Sequence, residues 1–305
     1  MPREIDVIGV PSSAGAHGPG QEKAPAALRA AGLLDALKAG GLKVGEPGDL
    51  LMARFAPDPA HRKSQNAARV REVADRVADA VDGSLRRGKL PLVLGGDCSI
   101  TLGVMSGVAR SKPDLGLLYF DGDADLATPQ TTRSGIFDSM VIGHMIGGGE
   151  ERVARIGPRY PLLSEDRIVL FGFLPYELER DELDYLRQSP MLQYPAPALQ
   201  HPPVKQAEEA LARLEKTASS IVLHFDVDVM DSAEIPLANW PHYEALSLDD
   251  AMQALEIFVG SDKLTAIVIT EINPDHDPDG LLMGRFVAGL SRALRPLAVQ
   301  APTGK

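Results

Sequence analysis

Short apolar runs alternate with longer amphipathic stretches along almost the whole chain. Uninterrupted runs of five or six apolar residues are typical of strands that are buried on both faces. The amphipathic stretches carry apolar residues at helical spacing and predict helices. This alternation predicts an α/β fold with a mostly parallel sheet covered by helices on both faces. Strands are predicted at 5–10, Leu90–Leu94, Leu115–Phe120, 167–171, 221–225 and 264–269, with shorter ones at 42–44 and 191–194.

The ends of two predicted helices carry clear local signals. Gly40 and Gly41 end a helix at 25–38, and Ser247 precedes another helix as its N-cap. No linker-like composition or internal repeat interrupts the chain, which favours a single domain over residues 1–305. The other helices are predicted at 64–87, from Ile100 onward, and at 139–146, 176–188, 204–216, Leu248–Val259 and 281–294, and the loops at 45–63 and 229–246.

Carboxylates follow two of the predicted strands at alternate positions. Asp121, Asp123 and Asp125 come after one strand, and Asp226 and Asp228 come after another. The carboxyl ends of parallel strands meet at one edge of the sheet, where ligand sites form. Carboxylates this close would repel one another in a buried setting. A pair of divalent ions that share carboxylates would offset the repulsion, and a solvated acidic loop is the simpler alternative.

Two further strand ends carry chemically useful residues. Asp97 and Cys98 lie in a Gly-Gly-Asp-Cys-Ser turn after the strand Leu90–Leu94, and Glu271 follows the last predicted strand. In a parallel sheet, all four strand ends lie at the same edge. Four such ends in one chain are a stronger indication of a site than one acidic motif.

Composition narrows the possible partners. The chain has 305 residues and a formal net charge of −11, which argues against general affinity for nucleic acid or anionic membranes and suits a cationic substrate. Its single cysteine excludes an internal disulfide. No signal-peptide pattern and no apolar run of membrane-spanning length is found in the sequence. We therefore expect a cytoplasmic protein.

Five segments, in matching order from about residue 5 to residue 294, resemble motifs of the ureohydrolase family, and of its arginases in particular. The segment VIGVPSSAGAHGPGQEKAPAALRAAGL is similar to the family's opening strand, loop and helix, and LVLGGDCSITLG is similar to its Gly-Gly-Asp-His-Ser turn. FDGDADLATPQTTRSG resembles Asp-Ala-His-x-Asp-x-x-Thr-Pro. HFDVDVMD resembles Ser-x-Asp-x-Asp-x-x-Asp, and EINP resembles Glu-x-Asn-Pro.

The resemblance implies a three-layer α/β/α sandwich, two manganese ions, hydrolysis of a small cationic guanidino substrate, and a trimer or hexamer. Carried over by position, Glu271 would orient the guanidinium group and Asp228 would help to move a proton to the leaving amine. The first ion would be held by Cys98, Asp121, Asp125 and Asp226, and the second by Asp121, Asp123, Asp226 and Asp228.

Three positions depart from the family pattern. The family has histidine where this chain has Cys98 and Asp123, and arginases have a proton-shuttling histidine at the place of Asp138. Thiolate and carboxylate can both bind metal, and thiolate makes zinc, iron or nickel possible beside manganese. A buried, structural thiol is the alternative for Cys98. His144 and His224 lie near the motifs, and we favour a structural role for each.

The substrate pocket is only partly defined by the resemblance. Thr132 and Ser134 are retained, whereas Ala127 replaces an asparagine that contacts the amino-acid carboxylate in arginase. Glu177 is the expected counterpart of the acid that meets the α-amino group, and a solvated glutamate at a helix start is equally compatible with its position. The loop at 232–246 has no counterpart in arginase; it is expected to line the mouth of the site with Trp240, His242 and Tyr243.

Three functions are compatible with this pattern. The first is a dinuclear metal hydrolase that acts on arginine or a modified arginine such as hydroxyarginine. The second is a ureohydrolase-fold protein without catalysis, kept for binding or assembly, because both family histidine ligands are replaced. The third is a hydrolase of an amidine or formimino group on the same scaffold.

Overall fold

A computed structural model describes residues 3–299. Its eight strands form one sheet, and every pairing in the sheet is parallel. The order across the sheet is β2-β1-β3-β8-β7-β4-β5-β6. The strands are β1 (Glu4–Gly9), β2 (Lys43–Asp49), β3 (Leu90–Leu94), β4 (Leu115–Phe120), β5 (Ile168–Phe171), β6 (Leu192–Tyr194), β7 (Ser220–Asp226) and β8 (Leu264–Thr270).

Helices cover both faces of the sheet, so the predicted α/β/α sandwich is confirmed. One face packs mainly against α1, α2, α8, α9 and α10, and the other against α3, α4 and α5. The helices are α1 (Ala24–Ala30), α2 (Leu33–Ala39), α3 (Ala67–Arg86), α4 (Ile100–Ala109), α5 (Val141–Met145), α6 (Glu151–Ala154), α7 (Arg180–Leu186), α8 (Val204–Thr217), α9 (Leu248–Val259), α10 (Leu281–Ala293) and α11 (Pro296–Val299).

The four strands at the centre of the sheet carry the site residues at their carboxyl ends. Every residue of β3, β4, β7 and β8 is buried, because helices cover both of their faces. These strands are consecutive in the sheet, in the order β3-β8-β7-β4, although the chain reaches them in a different order. Their carboxyl ends therefore meet at one place on the edge of the sheet.

Helix α4 packs unusually close to α3, because two glycines face the neighbouring helix. A Cβ atom added at Gly103 would lie 2.5 Å from the Ala74 carbonyl oxygen, and one added at Gly107 would lie 2.6 Å from the Ala78 carbonyl oxygen. Every residue of α4 is buried. This close approach fixes the position of the helix that begins just after Cys98.

Some element boundaries differ from the predictions. The helix expected at 25–38 is two helices, because Gly32 adopts a left-handed φ of 85° between α1 and α2. Part of the loop expected at 45–63 continues β2, which tolerates Pro47 because β2 is an edge strand. Ser247 caps α9 as predicted, since its hydroxyl oxygen accepts the Asp250 amide. Helix α7 is shorter than its predicted range of 176–188, and the short helices α6 and α11 were not predicted.

Among residues 3–299, no helix is both long enough and apolar enough to cross a membrane.

Candidate active site

One group of four ligand atoms lies where β3, β4 and β7 end. The Sγ atom of Cys98, the ring of His224 and carboxylate oxygens of Asp121 and Asp226 all lie within 4.8 Å of one another, and all four residues are buried. Cys98 Sγ lies 2.6 Å from Asp226 Oδ2. His224 Nε2 lies 3.1 Å from Asp121 Oδ2 and 3.8 Å from Cys98 Sγ. We call these four residues the first cluster.

A second group of three ligand atoms comes from Asp123, Asp228 and His242, again within 4.8 Å of one another. His242 Nε2 lies 3.4 Å from Asp123 Oδ2 and 3.6 Å from Asp228 Oδ2. The other ring nitrogen, Nδ1, lies 2.9 Å from Glu177 Oε2. We call Asp123, Asp228 and His242 the second cluster. Each cluster thus receives one carboxylate from the end of β4 and one from the end of β7.

Two main-chain hydrogen bonds keep the two clusters together. Asp121 Oδ1 accepts the Asp123 amide at 2.7 Å, and Asp226 Oδ1 accepts the Asp228 amide at 2.8 Å. In each pair, a residue of the first cluster therefore holds the backbone of a residue of the second. The spacing of two residues within each acidic motif produces this link directly.

Asp125 lies beside the clusters rather than inside either. Its Oδ2 accepts the hydroxyl of Tyr119, whose ring stacks on His224 with centroids 4.0 Å apart and planes 8° apart. Asp125 adopts a left-handed φ of 46°, which is costly for a residue with a side chain. The strained backbone turns the chain at this point, and the carboxylate lines the same cavity as the clusters.

Glu271 is held firmly after β8. Its Oε1 accepts the Cys98 amide at 2.9 Å, and its Oε2 accepts the side-chain amide of Gln21 at 2.8 Å. Glu271 also adopts a left-handed φ, of 65°. Strained backbone of this kind is concentrated at functional sites. Both oxygens are thus fixed at the cavity wall before any substrate binds.

Burial and mutual repulsion dominate the electrostatics of the site. Burial, and then the charges of neighbouring carboxylates, raise the pKa of Asp121, Asp226 and Glu271 well above the usual range. The same two causes, in the same order, raise the pKa of the Cys98 thiol. Among residues 3–299, no lysine or arginine forms an ion pair with these three carboxylates. Their negative charge is therefore not neutralised by a basic side chain, which favours the binding of cations.

The pKa values of the two cluster histidines are shifted in opposite directions. Burial lowers the pKa of His224 to about 3. Burial also acts to lower the pKa of His242, but the charge of Asp228 and the contact with Asp123 raise it to about 12. Without a metal ion, His242 would therefore be the main cation among these acids, whereas His224 would be neutral.

A cavity of about 270 Å³ opens above the clusters. Thr132, Ser134 and Asp138 line it, as do Cys98, Glu271 and the carboxylates of both motifs. Four further acids also line it: Glu177, Glu179, Asp181 and Glu182. The cavity therefore suits a cationic ligand.

Comparisons with known proteins identify the family to which the chain is related. The sequence model described as the arginase family matches residues 3–293. The chain belongs to the arginase family. The arginase of Brevibacillus brevis is 28% identical over 296 residues, which cover 95% of this chain and 97% of that protein. The native arginase structure from Bacillus caldovelox is 26% identical, with a TM-score of 0.87 and coverage of 99% of both chains.

A more distant likeness shows the fold alone. The formimidoylglutamase structure from Bacillus subtilis is 17% identical, with a TM-score of 0.77, and the match covers 97% of this chain and 88% of that one. The predicted resemblance to arginases is thus confirmed for the family and the fold.

The structure places every predicted site residue at the cavity. The six predicted metal ligands and Glu271 all lie at one edge of the sheet, and Thr132, Ser134, Asp138 and Glu177 line the walls around them. Asp97 takes a different part: its carboxylate accepts the amides of Gly15 and Ser99 and so joins the loop after β1 to the turn that carries Cys98.

Sequence reasoning named His224 and His242 but did not predict that either belongs to a cluster. We favoured a structural role for His224, but the structure brings its ring into the first cluster. The spacing of His224, Asp226 and Asp228 at alternate positions was a signal that could have identified it. His242 comes from the loop at 232–246 and carries no local signal. His144, by contrast, is structural as predicted, because its two ring nitrogens contact the main chain of Met140 and Glu150.

The unmatched loop lines the mouth of the cavity, as predicted for Trp240. This side chain is 56% exposed and stacks on His17 with ring centroids 5.8 Å apart. The loop is anchored where Tyr176 donates its hydroxyl to the Tyr243 carbonyl at 2.7 Å. Tyr243 itself is exposed. The anchored loop carries His242 into the site from outside the sheet.

Proposed function

We propose that this arginase-family chain is a dinuclear metal-dependent hydrolase that cleaves a C–N bond of a guanidino compound. The substrate would be arginine or a modified arginine such as hydroxyarginine, and the product urea or a urea derivative. The observation that supports this proposal best is the pair of adjacent ligand clusters at the base of an acidic cavity. Mn²⁺ is the first choice of metal, and the Cys98 thiol makes Zn²⁺, Fe²⁺ or Ni²⁺ suitable as well.

The residues present fit two divalent ions. The donor set combines thiol, carboxylate and imidazole groups, which are all metal ligands, and it is buried without a lysine or arginine partner among the described residues. Asp121 and Asp226 would bridge the ions, as the resemblance implies; one oxygen of each already accepts the main-chain amide of a residue of the second cluster. The proposed sets are Cys98, Asp121, Asp125 and Asp226 for the first ion, and Asp121, Asp123, Asp226 and Asp228 for the second.

When bound, two such ions supply a water-derived nucleophile at neutral pH. Glu271 would orient the substrate, because its fixed carboxylate can accept charge-assisted hydrogen bonds from a guanidinium group. Asp228 would accept a proton and pass it toward the leaving amine. Both Glu271 and Asp228 already line the cavity, where these roles require them.

Asp138 can take part in the proton transfers. Burial, and then the charge of Asp97, raise its pKa well above the usual range for a carboxyl group. A carboxyl group with a raised pKa is better suited to donate a proton to a leaving amine. His17 Nε2 lies 3.8 Å from Asp138 Oδ1 and connects this acid to the mouth of the cavity.

The cavity walls would bind the rest of the substrate. Thr132 and Ser134 offer hydroxyl groups, and the acids Glu177, Glu179, Asp181 and Glu182 suit an amino group. Burial raises the pKa of one of these acids, Glu182, to about 7. Glu177 both lines the cavity and contacts His242.

The proposal is tested by metal analysis and a substrate panel. Protein purified without chelator should contain two divalent ions per chain, and it should release urea from arginine or hydroxyurea from hydroxyarginine. Asp226→Ala should lose both metal and turnover, whereas the control Asp249→Ala, at an exposed position in the first turn of α9, should keep both.

Other outcomes of the same experiment favour the other functions. Two ions with release of ammonia but not urea would favour an amidine or formimino hydrolase. No metal after metal-supplemented purification, with no turnover, would refute the proposal and favour a non-catalytic binding role. A cytoplasmic location, expected from the sequence, and a trimeric or hexameric assembly, implied by the resemblance, are further predictions; they are checked by fractionation and by light scattering.

A further inference from the structure

We propose that His224 and His242 are themselves metal ligands, which replace in space the two histidines that the chain lacks at Cys98 and Asp123. This inference rests on the proposed dinuclear site and goes beyond the ligand set carried over by position. Each histidine comes from a different part of the chain than the one it replaces. His224 comes from within β7, and His242 comes from the loop at 232–246.

His242 is the stronger case. Its Nε2 atom is buried and has no hydrogen-bond partner among the described residues, although it lies between Asp123 and Asp228. A buried polar atom without a partner is unfavourable and calls for an explanation. A metal ion held by Asp123 and Asp228 would accept the lone pair of Nε2 and remove the deficit.

The other side of the His242 ring has the environment of a metal ligand. Nδ1 lies 2.9 Å from the carboxylate of Glu177, to which it can donate its proton. Histidines that bind metal commonly donate their second ring N–H to a carboxylate, which fixes the tautomer and leaves the other nitrogen free to coordinate. Glu177 is thus a positioning residue for His242.

The backbone beside His242 is shaped to admit its ring. A Cβ atom added at Gly122 would lie 2.5 Å from His242 Cδ2 and 2.9 Å from its Nε2. The family motif Asp-Ala-His-x-Asp has alanine at this place, and its histidine is the residue that Asp123 replaces. The replacement of alanine by Gly122 and the replacement of histidine by Asp123 are thus complementary. The missing methyl group at position 122 leaves room for the ring of His242, which comes from the loop.

His224 occupies the equivalent place in the first cluster. Its side chain is buried, its Nδ1 lies 2.8 Å from the Thr101 hydroxyl, and its ring rests flat on Tyr119. These contacts hold Nε2 toward Asp121 and Cys98. Position 224 corresponds to the serine of the motif Ser-x-Asp-x-Asp. Each cluster therefore contains one imidazole, and each imidazole has its second nitrogen held by a neighbour.

A direct test uses the intact protein loaded with ¹¹³Cd and labelled with ¹⁵N-histidine. We expect two cadmium resonances, one coupled to the His224 imidazole and the Cys98 β-protons, and the other coupled to the His242 imidazole. Two bound ions with no coupling to either imidazole would refute this inference and leave the proposed function standing. Failure to bind any ion would refute both.

A pair of variants tests the replacement itself. His242→Ala should weaken the binding of one of the two ions by at least about 100-fold, since even altered partners of a ligand cost about 10–100-fold. Adding Asp123→His to this variant should restore the second ion, because it returns a histidine to the same cluster. His201→Ala, at an exposed histidine that is not part of the cavity lining, is the matched control.

Two results of the His242→Ala experiment need to be distinguished: unchanged metal binding and loss of the fold. If His242→Ala binds both ions with unchanged affinity, His242 is not a ligand and the inference fails. If His242→Ala loses its fold by circular dichroism, the cadmium couplings of the unmodified protein decide the question.

Discussion

The close packing of α3 and α4 predicts that the same substitution, glycine to alanine, has opposite effects in two helices. In α4, a Cβ atom at Gly103 would lie 2.5 Å from the Ala74 carbonyl oxygen, 2.7 Å from the Val77 Cβ and 2.9 Å from the Ala74 Cα. In α10, a Cβ atom at Gly284 would have no heavy atom within 4 Å. The two sites therefore differ in the room available for a Cβ atom, although both lie within helices.

The magnitudes follow from these contacts. Alanine in place of glycine inside a helix stabilises by about 1 kcal/mol, and nothing opposes this gain at Gly284. At Gly103, overpacking against main-chain atoms costs about 3 kcal/mol, so the net loss is about 2 kcal/mol. For a chain of this size, about 2 °C of melting temperature corresponds to 1 kcal/mol. Gly284→Ala should thus melt about 2 °C higher, and Gly103→Ala about 4 °C lower.

Differential scanning calorimetry of chelator-treated protein is the appropriate assay, because bound metal would add its own stabilisation. Gly103→Ala should also bind metal more weakly, since α4 carries Thr101 and begins just after Cys98. If Gly103→Ala raised the melting temperature as much as Gly284→Ala, α3 and α4 could not be packed as closely as described, and the reasoning would be refuted.

Three further predictions concern the site. Asp226→Asn keeps the shape of the side chain but removes a proposed bridging charge, so elemental analysis should find fewer than two ions per chain; full occupancy would contradict the bridging role. Tyr119→Phe keeps the stack on His224 and leaves the buried Asp125 without its hydroxyl partner, which should cost about 1–3 kcal/mol in urea unfolding; an unchanged midpoint would count against that bond. In chelated protein, folded His242, with a pKa of about 12, keeps a proton that the unfolded chain releases above pH 6.5. The free energy of unfolding should then fall by about 1.4 kcal/mol for each pH unit between 7.5 and 8.5, measured by urea titration; a rise over this range would show that His242 is not protonated there.

The sequence predicted the central strands well because their signal is local. β3 and β4 have the predicted bounds, and β7 and β8 differ from theirs by one residue at one or both ends, since uninterrupted apolar runs leave little choice of structure. The meeting of the four strand ends at one edge could then be predicted as well, because parallel strands place their carboxyl ends together. The edge strand β2 was harder to see: Gly45, Pro47 and Gly48 indicate a turn, and only pairing with β1 makes the segment a strand.

The histidines of the two clusters show where sequence reasoning stops. His224 lies in a buried apolar strand, where its environment depends on the neighbouring strand β4 and on Tyr119. His242 enters the site because Ser232 and Tyr176 anchor a loop that has no periodic pattern. Contacts of this kind join residues that are far apart in the chain, and no local spacing encodes them.

The place of β8 in the sheet has a consequence for the order in which the protein can be assembled during synthesis. β8 is the last strand to be made, yet it lies between β3 and β7. Until it is inserted, Cys98 belongs to one half-sheet and Asp121 and Asp226 to the other. A nascent chain that ends before β8 thus has two unpaired inner edges, which favour association with other chains, and it lacks the complete first cluster. Metal loading would then mark the final step of folding, so that only a finished chain acquires its ions.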